Sequence, residues 1–297
     1  MAREQRSRRT RLFKRAAVAL VVGGALFCAA LVGAHSLAGA NAARATTGPS
    51  NPFATRAMRA YLDQRHGNIA AAVYDVATGA TYLYRPDDRE QTGSIVKVDM
   101  LATLLHEEQA EGEGLSYGEE VTATGMIEQS DNDDANDLWA AVGGASAVGA
   151  FDRSIGMTRT HPNTEGYWGE TSTTARDQLQ LLRYVFLRNE VLHAPARDYV
   201  RYLMENITPW EDWGVSAGPP AAVTVALKNG WVPIVGDDWQ VNSIGMVHGD
   251  GRHYLIALLT NHDNGEQYGI ATIEHISRIV WRTLGRNDAK QPSGASG

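Results

Sequence analysis

The chain has 297 residues, 43% of them hydrophobic and 21% charged, with a net charge of −7. That is enough for a sizeable core, and it excludes a disordered, collagen-like or coiled-coil protein. Seven basic residues crowd the start (Arg3, Arg6, Arg8, Arg9, Arg11, Lys14, Arg15), which leaves 20 basic against 33 acidic residues in the rest. So acidic a body lacks the electrostatic footprint of a nucleic-acid binder.

After the basic start, the stretch from Ala16 to Ala34 is apolar and uncharged. A basic segment followed by such a run reads as an export signal or a membrane anchor. The run exceeds the roughly 7–15 residues of a signal core and approaches the roughly 20 that span a bilayer, so cleavage and retention both stay open. Ala38-Gly39-Ala40 and Ala40-Asn41-Ala42 each fit a small-x-small cleavage site. Residues 1–45 are therefore assigned to the signal or anchor, 46–287 to the folded domain and 288–297 to a flexible tail. The expected location is extracytoplasmic, secreted or membrane-anchored, with membrane contact only through the N-terminal segment. The one cysteine, Cys28, lies in the apolar run, so the folded domain has no disulfide, thiol nucleophile or cysteine metal site. Phe27 before it is bulky where a lipoprotein signal has a small residue.

Polar residues 43–51 read as a linker. A helix is predicted over 52–64, opened by a proline, then strands over 68–76 and 80–84 joined by a turn at Thr78-Gly79. Residues 94–109 are apolar on nearly every side, the pattern of a helix buried in the centre of a domain. Residues 117–206 read as helices broken by turns, with no clear strand. Strands follow over 223–227, 239–246 and 253–259, the last two joined at Asp250-Gly251, and an amphipathic helix spans 266–284. The order predicts an α/β (α+β) fold: one antiparallel sheet flanked by helices plus an all-helical lobe, with the active site in the cleft between them.

Three short motifs carry chemistry. Ser94 and Lys97 open the buried helix, where i and i+3 share a face, so the amine can reach the hydroxyl. The positive end of the helix dipole favours an alkoxide there, and burial would lower the lysine pKa so that it can act as a base. Of only four lysines in the chain (Lys14, Lys97, Lys228, Lys290), just Lys97 and Lys228 lie in the folded domain. In a chain that otherwise uses arginine, which cannot deprotonate, that points to positions where arginine fails. Ser130-Asp131-Asn132 supplies a second hydroxyl and an amide; alone it is an ordinary helix-capping turn. Lys228-Asn229-Gly230 ends the strand over 223–227, with a glycine where a substrate backbone can approach closely.

Taken together and in this order, the motifs resemble the Ser-x-x-Lys, Ser-Asp-Asn and Lys-Thr-Gly signature of class A β-lactamases and penicillin-binding proteins. Asn132-Asp133-Asp134-Ala135-Asn136 and Ser216-Ala217-Gly218-Pro219-Pro220 resemble the family's flanking stretches, and the likeness covers about residues 50–285. It implies a β-lactamase/transpeptidase-like fold and a serine hydrolase that opens β-lactam rings through an acyl-enzyme on Ser94. It further implies that Lys97 is the base, that Ser130 passes a proton to the leaving nitrogen, and that Lys228 supports Ser130 and a substrate carboxylate. Asn132, Asn229, Gly230 and Trp231 would bind substrate, with the backbone N–H groups of Ser94 and Trp231 as the oxyanion hole. The alternatives are a cell-wall D-Ala-D-Ala carboxypeptidase or another penicillin-binding acyl hydrolase, and a non-catalytic cell-wall-binding module. The expected partner is a small-molecule β-lactam or a peptidoglycan stem peptide. No cofactor is implied, since hydrolysis needs only water, and His248, His253 and His262 have no metal-ligand spacing.

Two departures stand out. Asn229 stands where the family has threonine or serine: its amide can still donate a hydrogen bond, but the hydroxyl contact to a β-lactam carboxylate is lost. The loop that in class A enzymes supplies a water-activating glutamate reads Arg159 to Glu170 here, short and without the usual Arg-x-Glu-Pro pattern. Glu165 and Glu170 are its candidate carboxylates.

Overall fold

The computed structural model describes residues 50–285 except 235 and 237. The predicted signal or anchor and the tail lie outside the described residues. Among the described residues no helix is long and apolar enough to cross a membrane.

The described residues begin with two short helical pieces where one helix was expected. Asn51 caps a 3₁₀ turn at Pro52–Ala54; Thr55, in extended conformation, then caps α1 (Arg56–Leu62) by accepting from Met58 N at 3.1 Å. Two capping side chains four residues apart each start a helix, so the segment breaks between them. Strands β1 (Asn68–Asp75) and β2 (Thr81–Tyr84) form a hairpin turning at Gly79, whose φ of +74° suits a residue without a Cβ. A short strand, β3 (Glu90–Gln91), leads into a 3₁₀ turn at Gly93–Ile95 and then α2 (Val96–Glu111).

The helical lobe follows: α3 (Tyr117–Glu128), α4 (Asn132–Ala141), α5 (Gly144–Ser154), then a loop with a two-residue strand β4 (Ser172–Thr173), α6 (Ala175–Phe186) and α7 (Ala194–Glu205). The sequence showed no strand in this region; β4 owes its conformation to a partner distant in sequence, pairing antiparallel with β3. Strands β5 (Thr224–Pro233), β6 (Asp238–Gly249) and β7 (Arg252–Asn264) complete the sheet before α8 (Glu266–Thr283). At the β6–β7 turn, Asp250 and Gly251 both have positive φ, as a two-residue hairpin turn demands.

The five-stranded sheet has order β2-β1-β7-β6-β5, antiparallel throughout. Alternating side chains of one strand feed two cores. Ala70 and Ala72 of β1 and Leu255, Ala257 and Leu259 of β7 pack toward the helical lobe; Ile69, Ala71 and Val73, with Tyr254, Ile256 and Leu258, pack in the core that contains α1 and α8 residues. Ten consecutive residues of α2, from Val96 to Leu105, are buried, which explains a helix apolar on every side. This is the predicted architecture, an antiparallel sheet flanked by helices plus a helical lobe.

Candidate active site

Ser94 sits in the 3₁₀ turn at Gly93–Ile95, partly exposed, one turn before the buried run of α2. Backbone contact fixes that turn against β5. A Cβ added at Gly230 would fall 2.6 Å from Ser94 N and 2.6 Å from Thr92 O; one at Gly93, whose φ is +53°, would fall 2.9 Å from Trp231 N. Only residues without side chains let the two segments touch, and the contact sets the Ser94 turn directly against the Gly230–Trp231 backbone. Asn242 Nδ2 ties the same turn to the sheet by donating to Gln91 O and Thr92 O at 2.8 and 3.0 Å.

Lys97 is fully buried and donates to Ser130 O at 2.6 Å, Asn132 Oδ1 at 2.9 Å and Ser130 Oγ at 3.3 Å. These three acceptors match the three donors of an ammonium group. The amine is therefore directed at the Ser130–Asn132 turn, and no hydrogen bond joins it to Ser94 Oγ in the described residues, although i, i+3 spacing puts both on one face. Burial, reinforced by the nearby charge of Lys228, pulls the Lys97 pKa down to about 7.

The Ser130 turn is shaped by Asp131, whose carboxylate caps α4 by accepting from Asp133 N and Asp134 N at 2.8 and 3.0 Å. Ser130 holds a φ of +57°, unusual for a residue with a Cβ and of the kind that clusters at functional sites. Its hydroxyl accepts from a second lysine, Lys228 Nζ, at 2.8 Å.

Lys228 lies within β5, which runs on to Pro233; the expectation that the strand ends at this motif is corrected, because pairing with β6 continues from Lys228↔Ile244 to Pro233↔Trp239. Lys228 Nζ lies 3.7 Å from Glu211 Oε2, with the two side chains only 1% and 3% exposed. Burial lowers the Lys228 pKa to about 8 while Glu211 pulls the other way, and burial raises the Glu211 carboxyl above its usual range. Nothing in the local pattern around Glu211 marks it, and its partner lies seventeen positions downstream.

Asn229 is a second correction. It is fully buried, and its Nδ2 donates to Glu211 O and Trp213 O at 2.6 and 3.2 Å. Both amide protons are committed to backbone carbonyls, so none is left for a substrate carboxylate. The side chain instead holds the segment bearing Glu211 and Trp213, and the Trp213 ring packs against Trp231 with centroids 5.8 Å apart.

Ser94, Asn132, Asn136, Trp168, Glu170 and Trp231 line one cavity of about 350 Å³. A larger cavity of about 750 Å³, bordered by Ser216, Pro219, Pro220 and Arg278, contains none of the motif residues and plays no part in the site. Glu170 is on the wall of the Ser94 cavity, exposed, with Asn163 Nδ2 at 3.4 Å; Glu165 is exposed and does not line it. Trp168 places its ring 5.0 Å from Lys97 Nζ and donates its indole N–H to Asn136 Oδ1 at 2.8 Å.

The model of the beta-lactamase enzyme family matches residues 108–284, more than half of the chain. The chain belongs to the beta-lactamase enzyme family. The matched span starts beyond Ser94 and Lys97, so those two rest on their motif and geometry. A β-lactamase of Streptomyces fradiae is 28% identical over 275 residues, covering 80% of this chain and 85% of that protein. The lipoprotein-named LppW of Mycobacterium tuberculosis is 26% identical over 224 residues, covering 72% of this chain and 69% of LppW. The solved class A β-lactamase of Mycobacterium abscessus superposes with a TM-score of 0.66 at 24% identity, covering 76% of this chain and 97% of that one. The fold is thus that of class A β-lactamases.

Proposed function

We propose that the chain is an exported serine hydrolase that opens β-lactam rings through an acyl-enzyme on Ser94. The observation that carries this reading is the pair of buried lysines sharing the Ser130 hydroxyl beside the turn that holds Ser94. With a pKa of about 7, Lys97 is substantially neutral at physiological pH, and its free lone pair can then accept the Ser94 proton. Ser94 Oγ adds to the lactam carbonyl carbon. The developing oxyanion meets the backbone N–H groups of Ser94 and Trp231, donors of a kind worth about 3–4 kcal/mol each. As the C–N bond breaks, Ser130 gives its proton to the leaving nitrogen, and charged Lys228 keeps the hydroxyl oriented and attracts a substrate carboxylate. Asn132, on the wall of the same cavity, would bind an acyl side-chain amide.

A second reading is favoured by one observation: among the described residues no carboxylate hydrogen-bonds Lys97, and an aromatic ring lies over it instead. An enzyme so equipped acylates readily and deacylates slowly, the behaviour of a penicillin-binding D-Ala-D-Ala carboxypeptidase. Turnover of a chromogenic β-lactam beside a D-Ala-D-Ala peptide separates the two. We expect the β-lactam to be opened; release of D-alanine with no lactam turnover beyond one equivalent would assign the second reading. The basic and apolar N-terminus, and the lipoprotein name of LppW, support export.

A further inference from the structure

The Lys97 amine is enclosed by Ser130, Asn132 and the Trp168 ring. The ring is firmly held. Its N–H is bonded to Asn136, and the backbone around it is latched to the residue two before Ser94: Thr92 N donates to Thr171 O at 2.9 Å and Thr92 Oγ1 to Gly169 O at 3.4 Å. Thr171 N also donates to Trp168 O at 3.1 Å, closing the turn. We propose that Trp168 is a positioning residue that sets the lifetime of the acyl-enzyme by keeping water off the Lys97 side of the Ser94 ester. The inference rests on the acyl-transfer reading above and deepens it.

The two half-reactions differ in what they need from Lys97. In acylation the proton comes from Ser94 itself, the residue one helical turn away, so no water has to enter. In deacylation a water oxygen must add to the ester carbonyl carbon while its proton passes to a base; the C–Oγ bond then breaks and Ser94 Oγ takes a proton back. General-base help is worth about 10²–10⁴ in rate, and it requires the water to touch the base. A ring over Lys97 denies that contact, and the remaining group on the cavity wall, Glu170, is a solvated carboxylate. The ring thus spares acylation and slows release. Cation–π attraction adds to its hold when Lys97 is charged.

The test follows the adduct formed with a fluorescent penicillin on full-length wild type, Trp168→Ala, Trp168→Phe and Ser94→Ala, with thermal melts confirming the fold. Trp168→Ala should lose its adduct at least about tenfold faster than wild type, as newly available base assistance requires. Trp168→Phe, which keeps an aromatic cover, should restore most of the wild-type lifetime. Should the alanine variant not fold, Asn136→Ala, which frees the indole, should also shorten the lifetime. An unchanged or longer lifetime in Trp168→Ala, or a phenylalanine variant as short-lived as the alanine one, overturns this inference alone. A wild type that takes no label, or a Ser94→Ala variant that does, overturns the acyl-transfer reading and this inference with it.

Discussion

Lys228 Nζ lies 2.8 Å from the hydroxyl oxygen of Ser130, and that contact joins the sheet to the helical lobe across the cleft. Since Lys97 reaches the same oxygen at 3.3 Å, one neutral hydroxyl stands between two buried amines. Each amine lowers its own proton affinity by burial, and Lys228 lowers that of Lys97 further.

The pH dependence of acylation follows from this arrangement. Lys97 must be neutral, so the rate should rise as pH increases through about 7; Lys228 must be charged, so the rate should fall again through about 8. The groups acting on Lys97 are Lys228, Glu211, Asp131 and Asp134. Glu211 holds both lysines up, so Glu211→Gln should move both limbs of the bell to lower pH. Stopped-flow acylation rates across the neutral range read this directly; limbs that stay in place in the variant would remove Glu211 from the site's electrostatics.

The glycine contact between β5 and the Ser94 turn has its own consequence. A methyl group at Gly230 cannot sit 2.6 Å from Ser94 N, so Gly230→Ala must push the Ser94 turn and β5 apart. Loss of one oxyanion donor costs about 10²–10³ in rate. Gly230→Ala should therefore acylate about a hundredfold more slowly and also melt below the wild-type temperature, because backbone has to shift to admit the methyl group. Acylation at the wild-type rate would show that Ser94 N and Trp231 N do not form the oxyanion hole.

Much of this was readable in the chain. Periodicity located the buried α2, the hairpin at Asp250-Gly251 and the helical lobe, because those signals are local. The two lysines stood out by scarcity, and Ser130-Asp131-Asn132 only through its order with the other two motifs. What escaped was set by contacts between distant residues. Strand β4 owes its form to pairing with β3 and to a bridge with His161. Glu211 is meaningful only once folding brings it 3.7 Å from Lys228, and Asn229 proved to be a buried tie because carbonyls of Glu211 and Trp213 capture its amide. Trp168 became more than wall only when the loop placed it over Lys97.

The helical lobe carries a buried acidic pair, Asp99 on α2 and Asp152 on α5, both fully buried. Burial and Asp152 raise the Asp99 carboxyl well above its usual range, and burial raises Asp152 to about 7. Asp177 raises both, while Arg153 opposes the shift at Asp152. A carboxyl whose pKa is higher folded than unfolded contributes stability that is complete below the unfolded value of about 3.9 and is lost as pH rises toward the folded one. From these groups, stability should fall from mildly acidic pH to about 7. Asp152→Asn should flatten that slope and be more stable than wild type at neutral pH, as read by urea midpoints at several pH values. A slope unchanged in the variant would contradict the assignment.

The central claim, covalent acyl transfer through Ser94, is tested most directly by intact-mass measurement after brief exposure to benzylpenicillin, followed by peptide mapping. Ring opening by Ser94 loses no atoms, so the chain should gain the mass of one whole penicillin molecule. The peptide containing Ser94 should carry the adduct, which should persist through a burst of product followed by slow turnover. Ser94→Ala should gain nothing, and Lys97→Arg almost nothing, because arginine cannot act as the base. No mass gain together with no penicillin hydrolysis, or an adduct that survives Ser94→Ala, would contradict the account.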